Sequence, residues 1–283
     1  MNTPTLPIAQ KHRLQAHFGF RGLPFRKNVH AGRMFDSQSQ RELRHGLALW
    51  LELRALGLVT GRSGVGKSIC LRRFVSELPS QRYVVHRFGQ IPTTPLGFLR
   101  ALARRMGLDG RGRVADQFED IREALAHHED TLGTHPILIL DDAEGMRVET
   151  LDLVRRLTAS ALDGEHHVSI LLVGTERLMD TLRDPTLAPL RTRFSYAYQL
   201  QAFGMEDARN YVRHHLASSG GPEKLFTDAA VTALFSASQG IPRQLNQLAL
   251  QAMVDAVVRG ADTIDGPAMK RTLKAHPLYG HSG

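Results

Sequence analysis

Cysteine is almost absent from this 283-residue sequence: Cys70 is the only one. An intramolecular disulfide is therefore excluded, and the composition suits a reducing compartment. No apolar run approaches the roughly 18 residues that span a bilayer. Residues 1–10 lack the charged-then-apolar pattern of a secretory leader. The expected location is cytoplasmic, with no membrane partner. Histidine is plentiful, at 14 residues, but it recurs only as the doublets His127-His128, His166-His167 and His214-His215 or singly. Adjacent side chains do not share a face, and no His-Glu-x-x-His or Cys/His spacing occurs, so no structural zinc is expected. Acidic residues are in short supply: 28 Asp+Glu face 36 Lys+Arg, for a net charge of +8 and a pI near 10.0. That balance favours a polyanion, either nucleic acid or an acidic membrane surface. Hydrophobic residues make up an ordinary 42%, enough for one large domain or two smaller ones.

What is present is most specific at Gly61-Arg62-Ser63-Gly64-Val65-Gly66-Lys67-Ser68. Every fixed position of G-x-x-x-x-G-K-[ST] is filled. Glycines let the backbone curl so that several N–H groups converge on phosphate oxygens. Lys67 supplies a positive charge for the β/γ-phosphates, and the Ser68 hydroxyl suits Mg²⁺. Residues 61–68 and the following Ile69 are the candidate nucleotide-binding set, with ATP and Mg²⁺ as the implied cofactors. The context agrees. Leu56-Gly57-Leu58-Val59-Thr60 reads as a buried strand before the loop. A helix beginning near Lys67 would add its N-terminal partial positive charge.

Along the chain, strands alternate with helices from residue 56 to about 200. Residues 83–88, 136–141 and 168–173 read as further strands, with 193–200 a weaker fifth. Residues 38–53, 95–106, 115–132 and 148–162 read as helices. The fold class expected is α/β, a five-stranded parallel sheet with helices on both faces. From residue 204 no β-rich run remains, and helices are expected over 206–218, 228–238, 242–259 and 266–275. The expected organisation is a basic, irregular lead-in over 1–37 packing on the body, and a nucleotide-binding domain over 38–202. A helical lid follows over 203–275, then a flexible tail over 276–283.

Four further motifs fall into place around the loop. Ile137-Leu138-Ile139-Leu140-Asp141-Asp142 is a buried strand ending in carboxylates at the edge where open α/β sheets bind ligands. Asp141 is the candidate for the Mg²⁺ shell, and Asp142 for orienting or deprotonating the attacking water. Thr175, after Val173-Gly174, ends the next strand within reach of a γ-phosphate or its water. Arg191 and Arg193 in Leu190-Arg191-Thr192-Arg193-Phe194 suit transition-state charge in a neighbouring subunit, or a surface salt bridge. Arg243 in Gly240-Ile241-Pro242-Arg243 opens a lid helix, where Pro242 suits the first turn.

Taken in order, these five motifs resemble the AAA+ ATPases. The run from Phe18 to Phe25 and the later run from Gly240 to Ala249 are similar to the ExeA-type branch, itself similar to the transposon ATPases TniB and TnsC. The resemblance implies that Thr175 is sensor 1 and Arg243 sensor 2, with Arg191 or Arg193 the arginine finger. It implies self-assembly, as a ring or a helical filament of about six subunits per turn, with nucleotide at subunit interfaces. One position departs from the pattern. The usual acidic pair is Asp-Glu, and here it is Asp141-Asp142. A carboxylate one methylene shorter sits roughly 1 Å back, which can cost about 100-fold in rate. ATPase activity is therefore expected to be slow, with Glu144 the other candidate for holding the water.

The partner is argued from charge. Arg100, Arg104 and Arg105 lie on the helix after the second strand, and Arg111 and Arg113 follow in its loop. Thr93 and Thr94 precede it and can donate to phosphate oxygens. The expectation is largely sequence-independent, salt-sensitive binding of double-stranded DNA. The other reading of these arginines is a solvated helix face. Together with the resemblance, the function expected is regulation of transposition: ATP-dependent assembly on target DNA and recruitment of a DDE-type transposase. The alternatives are a secretion or envelope-assembly ATPase and a replication-initiator or helicase-loading ATPase.

Overall fold

The computed structural model describes residues 8–26, 34–158, 167–277 and 279. In chain order its elements are α1 (Ile8–Phe18), α2 (Gln38–Glu52), β1 (Leu56–Thr60), α3 (Lys67–Glu77), β2 (Tyr83–Phe88), α4 (Pro95–Arg105), α5 (Val114–Asp130) and β3 (His135–Leu140). Then come α6 (Val148–Leu157), β4 (Ser169–Val173), α7 (Glu176–Leu182), α8 (Ala188–Arg191), β5 (Phe194–Gln199), α9 (Met205–Ser218), α10 (Asp228–Ser238), α11 (Pro242–Arg259) and α12 (Gly266–Ala275). The chain divides into two units. One holds Ser39–Ser63 and Lys67–Gln201; the other holds Met1–Gln38, Gly64–Gly66 and Ala202–Gly283.

The first unit is α/β. Its five strands are all parallel, in the order β2-β3-β4-β1-β5. β1, β3 and β4 are buried at every residue, as central strands covered on both faces must be, and this is why they read as continuous apolar runs. β5 lies at an edge and alternates instead. Its Tyr196 and Tyr198 reach α2: Tyr198 Oη donates to the Glu42 carboxylate at 2.9 Å. Trp50 on α2 is fully buried and donates to the Ala55 carbonyl at 2.8 Å. Gly57 allows this packing, because a Cβ there would lie 2.7 Å from the Trp50 ring. The main core collects β1, β3 and β4 with α4, α5, α6 and α7, through Phe98, Leu102, Ile121, Leu151 and Leu178.

The second unit is helical. Leu225, Leu234, Leu245, Leu248 and Met253 form its centre. The lead-in differs from the irregular segment expected. Residues 8–18 form α1, and Leu14, Phe18, Phe20 and Phe25 are buried in the helical core with α9–α12. In α1 the described buried apolar positions, Leu14 and Phe18, are four apart and leave too weak a periodic trace to read from sequence. Of the expected tail, Tyr279 packs against the same core. In the α/β unit, α6 stops at Leu157 with Thr158 at its C-terminal cap, and residues 159–162 of the longer helix expected lie outside the described residues. Among the described residues no helix is long and apolar enough to cross a membrane.

Candidate nucleotide site

Parallel pairing brings the strand ends together. Val59 pairs with Val173 and Leu140 with Leu172, so Thr60, Asp141 and Gly174 leave the sheet at one carboxyl edge. That is the edge at which open α/β sheets bind ligands. Residues 61–68 leave β1 there and run into α3. Gly61, Gly64 and Gly66 have φ of 151°, 88° and 111°, which L side chains rarely adopt. Val65 is buried beneath the curl; Arg62, Ser63, Ser68 and Ile69 are exposed.

Lys67 opens α3 and is only 8% exposed. Its Nζ donates to the loop's own carbonyls, at 2.6 Å to Gly61 O and 3.3 Å to Arg62 O. The ammonium thus lies over the curl at a helix start, whose N-terminal partial positive charge suits phosphate. Ser68 Oγ donates to Asp141 Oδ2 at 2.8 Å. The same oxygen accepts from Arg87 Nη2 at 2.9 Å. Asp141 Oδ1 is buried with no hydrogen-bond partner. A hydroxyl and a buried carboxylate with an unused oxygen are the hard donors that Mg²⁺ prefers, so these residues fit the ion. Ser68 and Asp141 would hold it, and when bound it would neutralise charge on the β/γ-phosphates.

Asp142 and Glu144 separate in space. Asp142 is exposed and left-handed, at φ 62° and ψ 39°. The Ala143–Gly145 turn carries Glu144 across to the end of β4, where its Oε2 accepts the Thr175 N–H at 3.2 Å. Gly174 makes room for it: a Cβ at that position would lie 2.7 Å from the Glu144 oxygen. Thr175 Oγ1 is buried without a partner. The direction of Glu144 was open in the sequence, and here it points to the candidate sensor.

The candidate finger arginines lie at the other side of α7. Arg191 Nη1 donates to Leu182 O at 2.6 Å and Asp184 O at 2.9 Å, capping the end of α7. Arg193 is exposed, with one long contact of 3.5 Å to Arg155 O. In the helical unit, Arg243 lies in the first turn of α11 and its backbone N–H donates to Gly64 O at 3.3 Å. A Cβ on Gly64 would lie 2.9 Å from Arg243 Cβ.

The candidate DNA residues divide. Thr94 Oγ1 accepts from Gly97 N at 3.3 Å and caps α4. Thr93 holds α6 through its carbonyl, which accepts from Thr150 Oγ1 at 2.7 Å and Arg147 N at 3.3 Å. Arg100, Arg104, Arg105, Arg111 and Arg113 are all exposed. Arg105 stacks over the Phe88 ring at 4.4 Å, and Arg111 pairs with Asp109 at 3.3 Å. His86 lies nearby on β2. Burial lowers its pKa, helped by the charges of His128 and Arg105.

Arg87 is the site residue that sequence reasoning missed. A signal existed: it is a charged residue inside Tyr83-Val84-Val85-His86-Arg87-Phe88, on the strand that pairs with the one ending at Asp141.

Residues 51–182 match the family described as an AAA domain. Over 209 residues the chain is 28% identical to general secretion pathway protein A of Aeromonas hydrophila. The match covers 73% of this chain and 38% of that protein, so the chain spans well under half of the relative's length. Among solved structures, the ORC2 protein of Aeropyrum pernix, in ADPNP–ADP complexes, superposes with a TM-score of 0.65 at 14% identity. It covers 89% of this chain and 71% of that one. The Aeropyrum pernix ORC1 protein in complex with DNA gives 0.57 at 18%, covering 83% and 63%. These likenesses show the fold.

Proposed function

We propose that this chain is an AAA+ P-loop ATPase, and that it is an ATP-operated assembly factor that works on double-stranded DNA; the five-stranded parallel fold and the AAA-domain match over residues 51–182 support this. One observation carries the nucleotide reading: Lys67 at the start of α3, with Ser68 bonded to the buried Asp141 across the sheet edge. In this reading the N–H groups of residues 61–69 and Lys67 hold the phosphates, and Ser68 and Asp141 hold Mg²⁺. Thr175 and Arg243 read the γ-phosphate. Asp142 orients the water from a short side chain, while Glu144 is tied to the Thr175 amide, so ATP is held longer than it is turned over. Arg193 is the better candidate for a neighbour's nucleotide, because Arg191 already caps α7.

Exposed arginines on α4 and in residues 107–113, and a net charge of +8, support DNA as the polyanion. The DNA complex of a protein with this fold is in keeping with it. The finer step, in which assembly on target DNA recruits a DDE-type transposase, is supported by the motif resemblance to TniB and TnsC. The second reading is a secretion or envelope-assembly ATPase, favoured by the likeness to general secretion pathway protein A. Electron microscopy with duplex DNA separates them. The DNA reading expects rings or filaments on DNA with ATP or a slow analogue, dissolving as salt rises. No association at low salt in either nucleotide state would sink it.

A further inference from the structure

We infer that Arg87 is a built-in cation at the carboxylate that fits Mg²⁺, competing with the metal for Asp141. Asp141 Oδ2 receives two donors, Ser68 Oγ at 2.8 Å and Arg87 Nη2 at 2.9 Å. They come from α3 and from β2, the strand beside β3. Asp141 is 6% exposed at its side chain, against 28% for Arg87. Taking a carboxylate this far from water costs solvation that a paired guanidinium offsets. Arg87 provides it, at the oxygen that bridges to the Ser68 hydroxyl. A positive charge is therefore paired with the same carboxylate oxygen that the Ser68 hydroxyl reaches.

Two consequences follow from Coulomb's law. A guanidinium 2.9 Å from one oxygen of the carboxylate that fits the metal repels a dication and partly neutralises its ligand, so it raises the Mg²⁺ concentration needed at the site. It also supplies part of the positive charge that triphosphate requires, so nucleotide depends less on the metal. The competition is constant while the Arg87–Asp141 pair is intact. It is relieved only when the side chain swings away, and its partial exposure gives it room to do so. Arg87 is thus a positioning residue that sets the metal requirement of the switch.

This inference rests on the nucleotide-binding reading above, and the two fail separately. The measurement is binding of a fluorescent ATP analogue to the full chain while Mg²⁺ is titrated, in wild type, Arg87→Gln and Arg87→Lys. Wild type is expected to bind the analogue in EDTA within about tenfold of its affinity in saturating Mg²⁺. Arg87→Gln is expected to lower the half-saturating Mg²⁺ about tenfold and to weaken binding in EDTA. Arg87→Lys, which keeps the charge, should stay within about twofold of wild type. An unchanged or raised Mg²⁺ midpoint in Arg87→Gln overturns the inference, as does a lysine variant that behaves like glutamine. If neither variant folds, the wild-type arm decides: a loss of more than about 100-fold in EDTA overturns it. No analogue binding by wild type in either condition, matching Lys67→Ala, defeats the nucleotide reading itself.

Discussion

Asp142 shows how much a single residue's backbone constrains its chemistry. Its φ of 62° is tolerated by Asp far better than by longer side chains. Glu144, two residues on, is anchored to the Thr175 amide at 3.2 Å, which limits its freedom to follow a water. Asp142→Glu is therefore expected to raise ATP turnover, by up to about 100-fold if reach alone limits the rate. It should also cost stability of about 1 kcal/mol from left-handed strain. Glu144→Gln preserves an acceptor for the Thr175 N–H and should leave turnover within about threefold. A steady-state phosphate-release assay reads both. No gain in Asp142→Glu, together with a large loss in Glu144→Gln, would transfer the water-holding role to Glu144. The motif made Lys67, Ser68 and Asp141 legible because its chemistry needs fixed spacing. Arg87 left only a weak signal, a charge inside an apolar strand, because it belongs to no motif and its adjacency to Asp141 comes from strand order.

At the scale of elements, legibility followed burial. β1, β3 and β4 are apolar at nearly every position and were readable to within a residue or two of their ends. β5 alternates, so its signal was weaker. α7, whose described buried residues are Leu178 and Leu182, is too short to establish a period. α4 illustrates how one residue can have a structural job beside the one read from sequence. Thr94 was a candidate phosphate donor, yet its hydroxyl caps the helix and Pro95 follows in the first turn. Thr94→Ala should cost about 1 kcal/mol in a denaturant titration and leave DNA affinity unchanged. Charge reversal at Arg100 and Arg104 should do the opposite. Stability should hold, while DNA binding weakens and the slope of log K against log salt falls by about 2. Equal DNA affinity in the double variant would assign that face of α4 to solvent.

Among the described residues, two buried histidines, one in each unit, have pKa values lowered far enough to make the whole molecule's stability depend on pH. His135, at the start of β3, hydrogen-bonds Ser169 Oγ at 2.8 Å. Burial holds its pKa at about 4, aided by the charge of Arg54 and by the neighbouring His167. Glu129 lies 3.8 Å away and pulls in the opposite direction, but its carboxylate also pairs with Arg54 and His167. His215 in α9 accepts the Phe25 N–H at Nδ1, 3.2 Å away, and packs against the Phe25 and Tyr211 rings. Its pKa is likewise held at about 4 by burial, then by His214. Both are neutral in the native state, whereas in the unfolded chain they titrate near 6.5. Between about 6.5 and 4 the unfolded chain binds more protons, so stability is complete above that window, falls as pH drops through it, and levels off below. The folded core should therefore weaken before most carboxylates titrate. Thermal melts from pH 8 to 4 are expected to show this decline, with His135→Gln and His215→Gln each flattening part of it. Because the two residues belong to separate cores, the two effects should add in the double variant. A decline that begins only below about pH 4, or that survives both substitutions, would assign the response to the carboxylates instead.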